Sequence, residues 1–138
     1  MIWKNTISIE KLNNGIEYIG THLGIKFTKY TDNSLEATMP VNEKTHQPWG
    51  ILHGGASVVL AETLGSYAST FLVDTEKYAA VGLEINANHL RSVSEGEVTG
   101  ICEPFHIGRK THVWNIRIVN SENKLVCISR LTVAIIEK

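Results

Sequence analysis

Gly54-Gly-Ala-Ser-Val-Val-Leu-Ala-Glu62-Thr-Leu-Gly-Ser66-Tyr-Ala-Ser-Thr-Phe-Leu-Val73 is the most membrane-like stretch of the chain, yet it carries Glu62 near its middle. A carboxylate at mid-bilayer costs roughly 2.5–3.5 kcal/mol even on the mild insertion scale. The stretch therefore reads as a buried helix of a soluble protein, from about Gly54 to Val73. Ala56, Val58, Val59, Leu60, Ala61, Leu64, Ala68, Phe71 and Leu72 leave almost no polar face, as in a core helix. Such a helix needs cover on all sides. One sheet cannot supply it alone, so a sheet should wrap the helix and a partner chain should help.

Downstream, the pattern changes to alternation. Val81, Leu83, Ile85, Ala87 and His89 alternate with Gly82, Glu84, Asn86, Asn88 and Leu90, and Val98, Thr99 and Ile101 follow a turn at Ser94-Glu95-Gly96. His112 to Val119 alternate again, and the turn Asn120 to Asn123 leads into Leu125 to Ile136. The short polar connections predict antiparallel hairpins between successive strands. Upstream, residues 8 to 23 read as helical, with Ser8 as N-cap, an interruption at Gly15 and an end at Gly24. Ile25 to Tyr30 and Ser34 to Met39 read as strands joined by Thr31-Asp32-Asn33, and Pro40 stops the second. Val41 to Leu52 reads as a loop. The expectation is an α+β domain spanning residues 1–138, with five or six antiparallel strands around one long central helix.

The 138 residues suit one domain. Thirteen Lys plus Arg against 14 Asp plus Glu give a net charge of −1, which argues against a nucleic-acid binder working by global charge. Cys102 and Cys127 are too few for a disulfide framework and lack metal-ligand spacing, which fits a reducing, cytoplasmic compartment. Met1-Ile2-Trp3-Lys4 opens no apolar signal segment. The six histidines form no H-x-x-x-H or H-E-x-x-H pattern, so no metal is expected. A nucleophile elbow, a phosphate-binding loop and a dinucleotide fingerprint are likewise missing.

Four places carry candidate chemistry. Glu62 is the only charged residue between His53 and Asp74; it either pairs structurally across an interface or acts chemically. Ser66, at i+4, shares its face, though a small residue there also suits close packing. His53-Gly54-Gly55 starts the helix, where unpaired N–H groups and the dipole favour negative charge; this is either an ordinary helix start or a cradle for a carbonyl becoming an oxyanion. His53 and Glu62 lie about 13.5 Å apart along a helix, so any cooperation between them runs across two subunits. Gln47 could orient a water or a carboxylate, or simply be solvated. Asn86 to Ser92 and His106 to Thr111 bring Arg91, Arg109 and Lys110 to strand ends; these are solvated tips or holders of a carrier's phosphates.

Several strings together resemble the hotdog-fold acyl-CoA thioesterases of the aromatic acyl-CoA branch. They are Gln47-Pro-Trp-Gly-Ile-Leu-His-Gly-Gly-Ala-Ser-Val-Val-Leu-Ala-Glu62-Thr-Leu-Gly-Ser66, Val81-Gly-Leu-Glu-Ile-Asn-Ala-Asn-His89 and Pro104-Phe-His-Ile-Gly108-Arg109. The opening Met1-Ile-Trp-Lys is similar too. The resemblance implies a hotdog fold, a homodimer with joined sheets or a homotetramer, and shared sites at the dimer interface. It implies hydrolysis of an aromatic acyl-CoA, with Glu62 as nucleophile or general base, Gly54 N–H on the carbonyl, Gln47 and His53 orienting the thioester, and Ser66 positioning water or the carboxylate. It assigns CoA binding to Gly82, to His89, Leu90, Arg91 and Ser92, and to His106, Ile107, Gly108, Arg109, Lys110 and Thr111. No cofactor, metal, nucleic acid or membrane is implied. Within the branch, the Gly82–His89 run is more like members acting on 1,4-dihydroxy-2-naphthoyl-CoA. Thr45-His46-Gln47-Pro48 is more like members that clear aryl groups misloaded in enterobactin synthesis, where the substrate sits on an aryl carrier protein. Tyr67 departs from the branch, where a smaller residue is expected. A hotdog dehydratase and a non-catalytic acyl-CoA binding module are the competing readings.

Overall fold

A computed structural model describes residues 1–138. In chain order the elements are α1 (Ile9–Gly15), α2 (Ile19–His22), β1 (Lys26–Tyr30), β2 (Leu35–Pro40), α3 (Gly54–Thr70), β3 (Tyr78–His89), β4 (Glu97–Ile107), β5 (Thr111–Val119) and β6 (Leu125–Glu137). The strands form one antiparallel sheet in the order β1-β2-β4-β5-β6-β3, with α3 lying on it. This is the expected α+β arrangement of one sheet around one long helix. No helix is long and apolar enough to cross a membrane.

The alternation read from the sequence is the pattern that seats α3. On β5, His112, Trp114, Ile116 and Ile118 are buried, with half-buried residues between them. Leu60 and Leu64 of α3 press on β4 where Gly100 stands; a Cβ there would lie 2.6 Å from Leu64 Cδ1. A larger residue at 100 would force the helix off the sheet, since a filled core has no room for added methyls.

Four features differ from the sequence reading. The stretch 8–23 is two short helices: Ser8 caps α1 through Lys11 N at 3.3 Å, but Ile16 is extended and Tyr18 takes φ 58°, so the chain breaks before α2. Asn13 then docks α1 onto β1 through paired bonds with Phe27 N (2.7 Å) and O (2.8 Å). The central helix stops at Thr70, and Phe71 to Val73 lie beyond it.

The third difference is topological. β3 and β4 are not a hairpin. β3 pairs with β6 at the sheet edge, and β4 lies between β2 and β5. The turn signal at Ser94-Glu95-Gly96 is real, since Gly96 has φ 80°, but it belongs to a crossover running from Leu90 to Gly96. That crossover is tied to the loop before α3 by Leu52 N to Val93 O (2.7 Å) and by His46 Nε2 to Ser94 O (2.9 Å).

Fourth, the helix is not buried all round by its own chain. Ala56, Leu60, Ala61, Leu64, Ala68 and Ser69 are buried, while Val58, Val59, Glu62, Thr63, Ser66 and Tyr67 are only half-covered. The sheet covers one face, as a single layer must. β3 is also uncovered: it is 12 residues long, its outer edge has no strand partner, and Leu83 is 62% exposed on it. A long apolar free edge is a pairing surface.

Candidate active site

The first half of the site is built at the N-terminus of α3. Thr45 anchors the approaching loop: its hydroxyl donates to Pro40 O at 2.9 Å and its carbonyl accepts His53 N at 2.8 Å. A turn closed by Gly50 N to Gln47 O (3.0 Å) then presents Gln47. The Gln47 side-chain oxygen accepts the Trp49 N–H, so the oxygen is occupied and the NH₂ group is the end left to donate. His53 is the N-cap, and its Nδ1 accepts Gly55 N–H at 2.8 Å. Its proton therefore resides on Nε2. His89, from the end of β3, lies against Gly54, where a Cβ would stand 2.6 Å from its Nε2. Gln47, Gly54, Ser57, His89, Arg91 and Ser92 share a cavity of about 370 Å³ with Leu90 and the apolar Ile51, Leu52 and Val126.

Glu62 lies about two turns further along α3, in a second cavity of about 430 Å³ that includes Ser66, Tyr67, Val59 and the α2 residues Ile19 and Gly20. From the sheet side Gly82 of β3 approaches it; a Cβ on Gly82 would stand 2.9 Å from Glu62 Oε1. Glu62 forms no ion pair, the chain's pairs being Lys29–Glu36, Lys77–Asp74 and Lys124–Glu122. A half-buried carboxylate without a cation is held for something other than local stability.

The third group, His106 to Thr111, forms the β4–β5 tip at the other end of α3. Ile107, Gly108 and Arg109 border a cavity of about 440 Å³ with Lys4 and His112. One chain thus brings together Gln47, Gly54 and residues 89–92, and separately Glu62, Ser66 and Gly82. It keeps the tip apart from both.

Sequence reasoning missed Thr45, Ser57 and Val93, which position or line the first cavity; a buried Thr in a loop gives no signal beyond its residue type. The cysteines offer no nucleophile. Burial pushes the Cys102 thiol well up, with Glu103 adding to it, and burial also raises Cys127, so neither supplies thiolate at neutral pH.

The cap makes a stability prediction. His53→Ala removes the acceptor for Gly55 N–H and should destabilise by about 1 kcal/mol, whereas His53→Asn keeps an N-cap oxygen and most of that stability. Urea unfolding of the two variants checks this; equal losses would mean that the imidazole caps nothing.

The family model described as the thioesterase superfamily matches residues 50–127. A 1,4-dihydroxy-2-naphthoyl-CoA hydrolase from Escherichia coli is 51% identical over 137 residues, covering 99% of this chain and 100% of that protein. A proofreading thioesterase EntH from Cronobacter turicensis is 48% identical over 136 residues, 98% of each. Among solved structures, a mutant thioesterase from Pseudomonas aeruginosa superposes with a TM-score of 0.98 at 51% identity, covering 100% of both chains.

Proposed function

The chain belongs to the thioesterase superfamily, and on that premise we propose that it hydrolyses an aromatic acyl-CoA, with 1,4-dihydroxy-2-naphthoyl-CoA as the foremost substrate, to the free acid and CoA. Thioester hydrolysis and the hotdog fold follow from the family; the acyl group and the residue roles are the proposal. The observation carrying it is the pair of half-sites: donors converge at the start of α3, and an unpaired carboxylate stands two turns away on a cavity of its own.

The thioester carbonyl sits over the start of α3, where Gly54 N–H and the Gln47 NH₂ donate to its oxygen. These donors gain strength as the oxygen becomes an oxyanion, which is where electrostatic catalysis acts. His53, through Nε2–H, orients the same group. Glu62 of the partner subunit either attacks the carbonyl carbon or takes a proton from the attacking water. Ser66 beside it positions that water or the carboxylate. The C–S bond breaks, CoA leaves as thiolate and is protonated, and the acid is released. Neither cofactor nor metal is needed, because the thiolate is already a good leaving group. Residues 89–92 and the tip 106–111 hold the CoA arm.

The uncovered surfaces support an assembly. A second copy pairing along the free edge of β3 would join the two sheets and cover the open face of α3, making a homodimer, with a homotetramer as the larger form. The cellular setting of this reading is the cytoplasm, in menaquinone-type quinone synthesis.

Tyr67, which lines the Glu62 cavity, favours an aromatic acyl group, as does the name of the Escherichia coli relative. The test is a panel of acyl-CoAs assayed for released thiol. Naphthoyl- and benzoyl-CoA should show the higher kcat/KM, and a higher value for palmitoyl-CoA would reject the aromatic class. The relatives named as proofreading thioesterases, together with Thr45-His46-Gln47-Pro48, favour a second reading in which the aryl group arrives on a carrier protein. A higher kcat/KM for an aryl-loaded carrier than for the same aryl-CoA would select it.

A further inference from the structure

We propose that His112 is a positioning residue that ties the β4–β5 tip to the last turn of α3 and so sets the affinity for the nucleotide end of CoA. The inference rests on the reading that the tip binds CoA. The tip is compact: Gly108 N donates to Thr111 O at 2.9 Å, and a Cβ on Gly108 would stand 2.8 Å from His106 Nε2. Its cations, Arg109 and Lys110, are exposed. Exposed basic side chains on a hairpin end are useful to phosphates only if the backbone beneath them is held, since ordering it on binding would consume affinity.

His112 supplies that hold. It is 2% exposed, faces its pair Ile107 across the hairpin, and places Nδ1 3.0 Å from Ser69 Oγ. Ser69 Oγ also accepts Trp114 Nε1–H at 2.8 Å. The one hydroxyl thus bridges the indole and the imidazole. On the tip side His112 shares a cavity with Gly108 and Arg109. Burial lowers the His112 pKa, the Gly108 backbone opposes this, and Lys4 and His106 add to the lowering, so the neutral imidazole is the form packed between helix and tip. Trp3 stacks on Trp114 at 6.4 Å, which leaves Ser69 little room to shift. The chain runs helix, serine, imidazole, tip, and none of its members touches the reacting atoms.

The test compares benzoyl-CoA with S-benzoyl pantetheine, which has the same thioester and no nucleotide. His112→Phe fills the space but forms no bond to Ser69. It should raise KM for benzoyl-CoA about tenfold, the scale of one lost hydrogen bond, and leave kcat and the pantetheine KM unchanged. His112→Gln, which keeps an amide donor and acceptor, should recover most of the loss. Arg109→Ala reports on the underlying reading and should raise only the benzoyl-CoA KM. If Arg109→Ala does so and His112→Phe does not, the positioning role is wrong and the tip still binds CoA. If Arg109→Ala changes neither substrate, the tip does not hold the nucleotide and both ideas fall. Equal losses on both substrates in His112→Phe would show a merely structural residue. Should that variant not fold, Ser69→Ala carries the same test: it frees the imidazole and should raise the benzoyl-CoA KM selectively, and an unchanged KM overturns the proposal.

Discussion

Glu62→Gln should cost at least about 10² in turnover, the lower end of what a general base contributes, while KM changes little. The amide keeps the length, the volume and the hydrogen-bonding reach of the carboxylate, so packing against Val59, Ser66 and Tyr67 survives. It cannot take a proton from water, nor attack a carbonyl as a carboxylate does. KM should hold because the CoA arm is assigned to residues 89–92 and to the tip, on other cavities. A purely structural Glu62 predicts otherwise. Within its own chain it has no cation to lose, so a structural role would be a pairing across the dimer, and the Gln variant would dissociate but turn over normally once saturated as a dimer. The measurement is kcat and KM at concentrations where light scattering shows the oligomer intact. Turnover near that of the unaltered protein there would remove Glu62 from the reaction and favour a binding module.

The fate of Glu62 also shows what the sequence could and could not convey. A lone carboxylate in an apolar helix is visible in one line of letters, because burying an unpaired charge is costly wherever it happens. That Gly82 is the residue opposite it is not visible, because β3 meets α3 only after pairing with β6. The same non-local step hid the topology. Ser94-Glu95-Gly96 has sound turn chemistry, and local chemistry sets the bend, but which strand lies alongside is set by the whole sheet. Alternation on β5 and β6 was legible because one face of each strand meets α3. The partial exposure of α3 was not, since Val58, Val59 and Tyr67 are apolar whether a sheet or a second chain covers them. Gln47 was legible as a candidate and not as a donor: its orientation depends on the Trp49 N–H, a bond that residue types do not announce. The end of α1 was marked by Gly15, but nothing marked the non-helical Ile16 to Tyr18 that delays α2 to Ile19.

Mixing two inactive variants should restore activity. Gln47→Ala lacks a donor at the start of α3, and Glu62→Ala lacks the carboxylate. If each site takes Gln47 from one subunit and Glu62 from the other, a heterodimer of the two has one site with both defects and one with neither. Random re-pairing of equal amounts in a two-fold dimer makes half the dimers mixed, so about one quarter of the unaltered activity should return. If a site is completed within one chain, every site in every mixture carries a defect, and nothing returns. The structure favours the first outcome on geometry: α3 is a rigid rod, and Gly54 and Glu62 are fixed about 12 Å apart on it, too far for one thioester carbon to meet both. The free edge of β3 lies beside Glu62 through Gly82, so a copy pairing there would bring its own helix start towards this carboxylate. The experiment needs subunit exchange, achieved by co-expression with two different tags and purification through both; in that all-mixed population one site in two is intact, so about half of the unaltered activity is expected. A doubly tagged population with no more activity than either parent would show that the two halves do not come from different chains, and the catalytic roles of Gln47 and Glu62 would have to be separated.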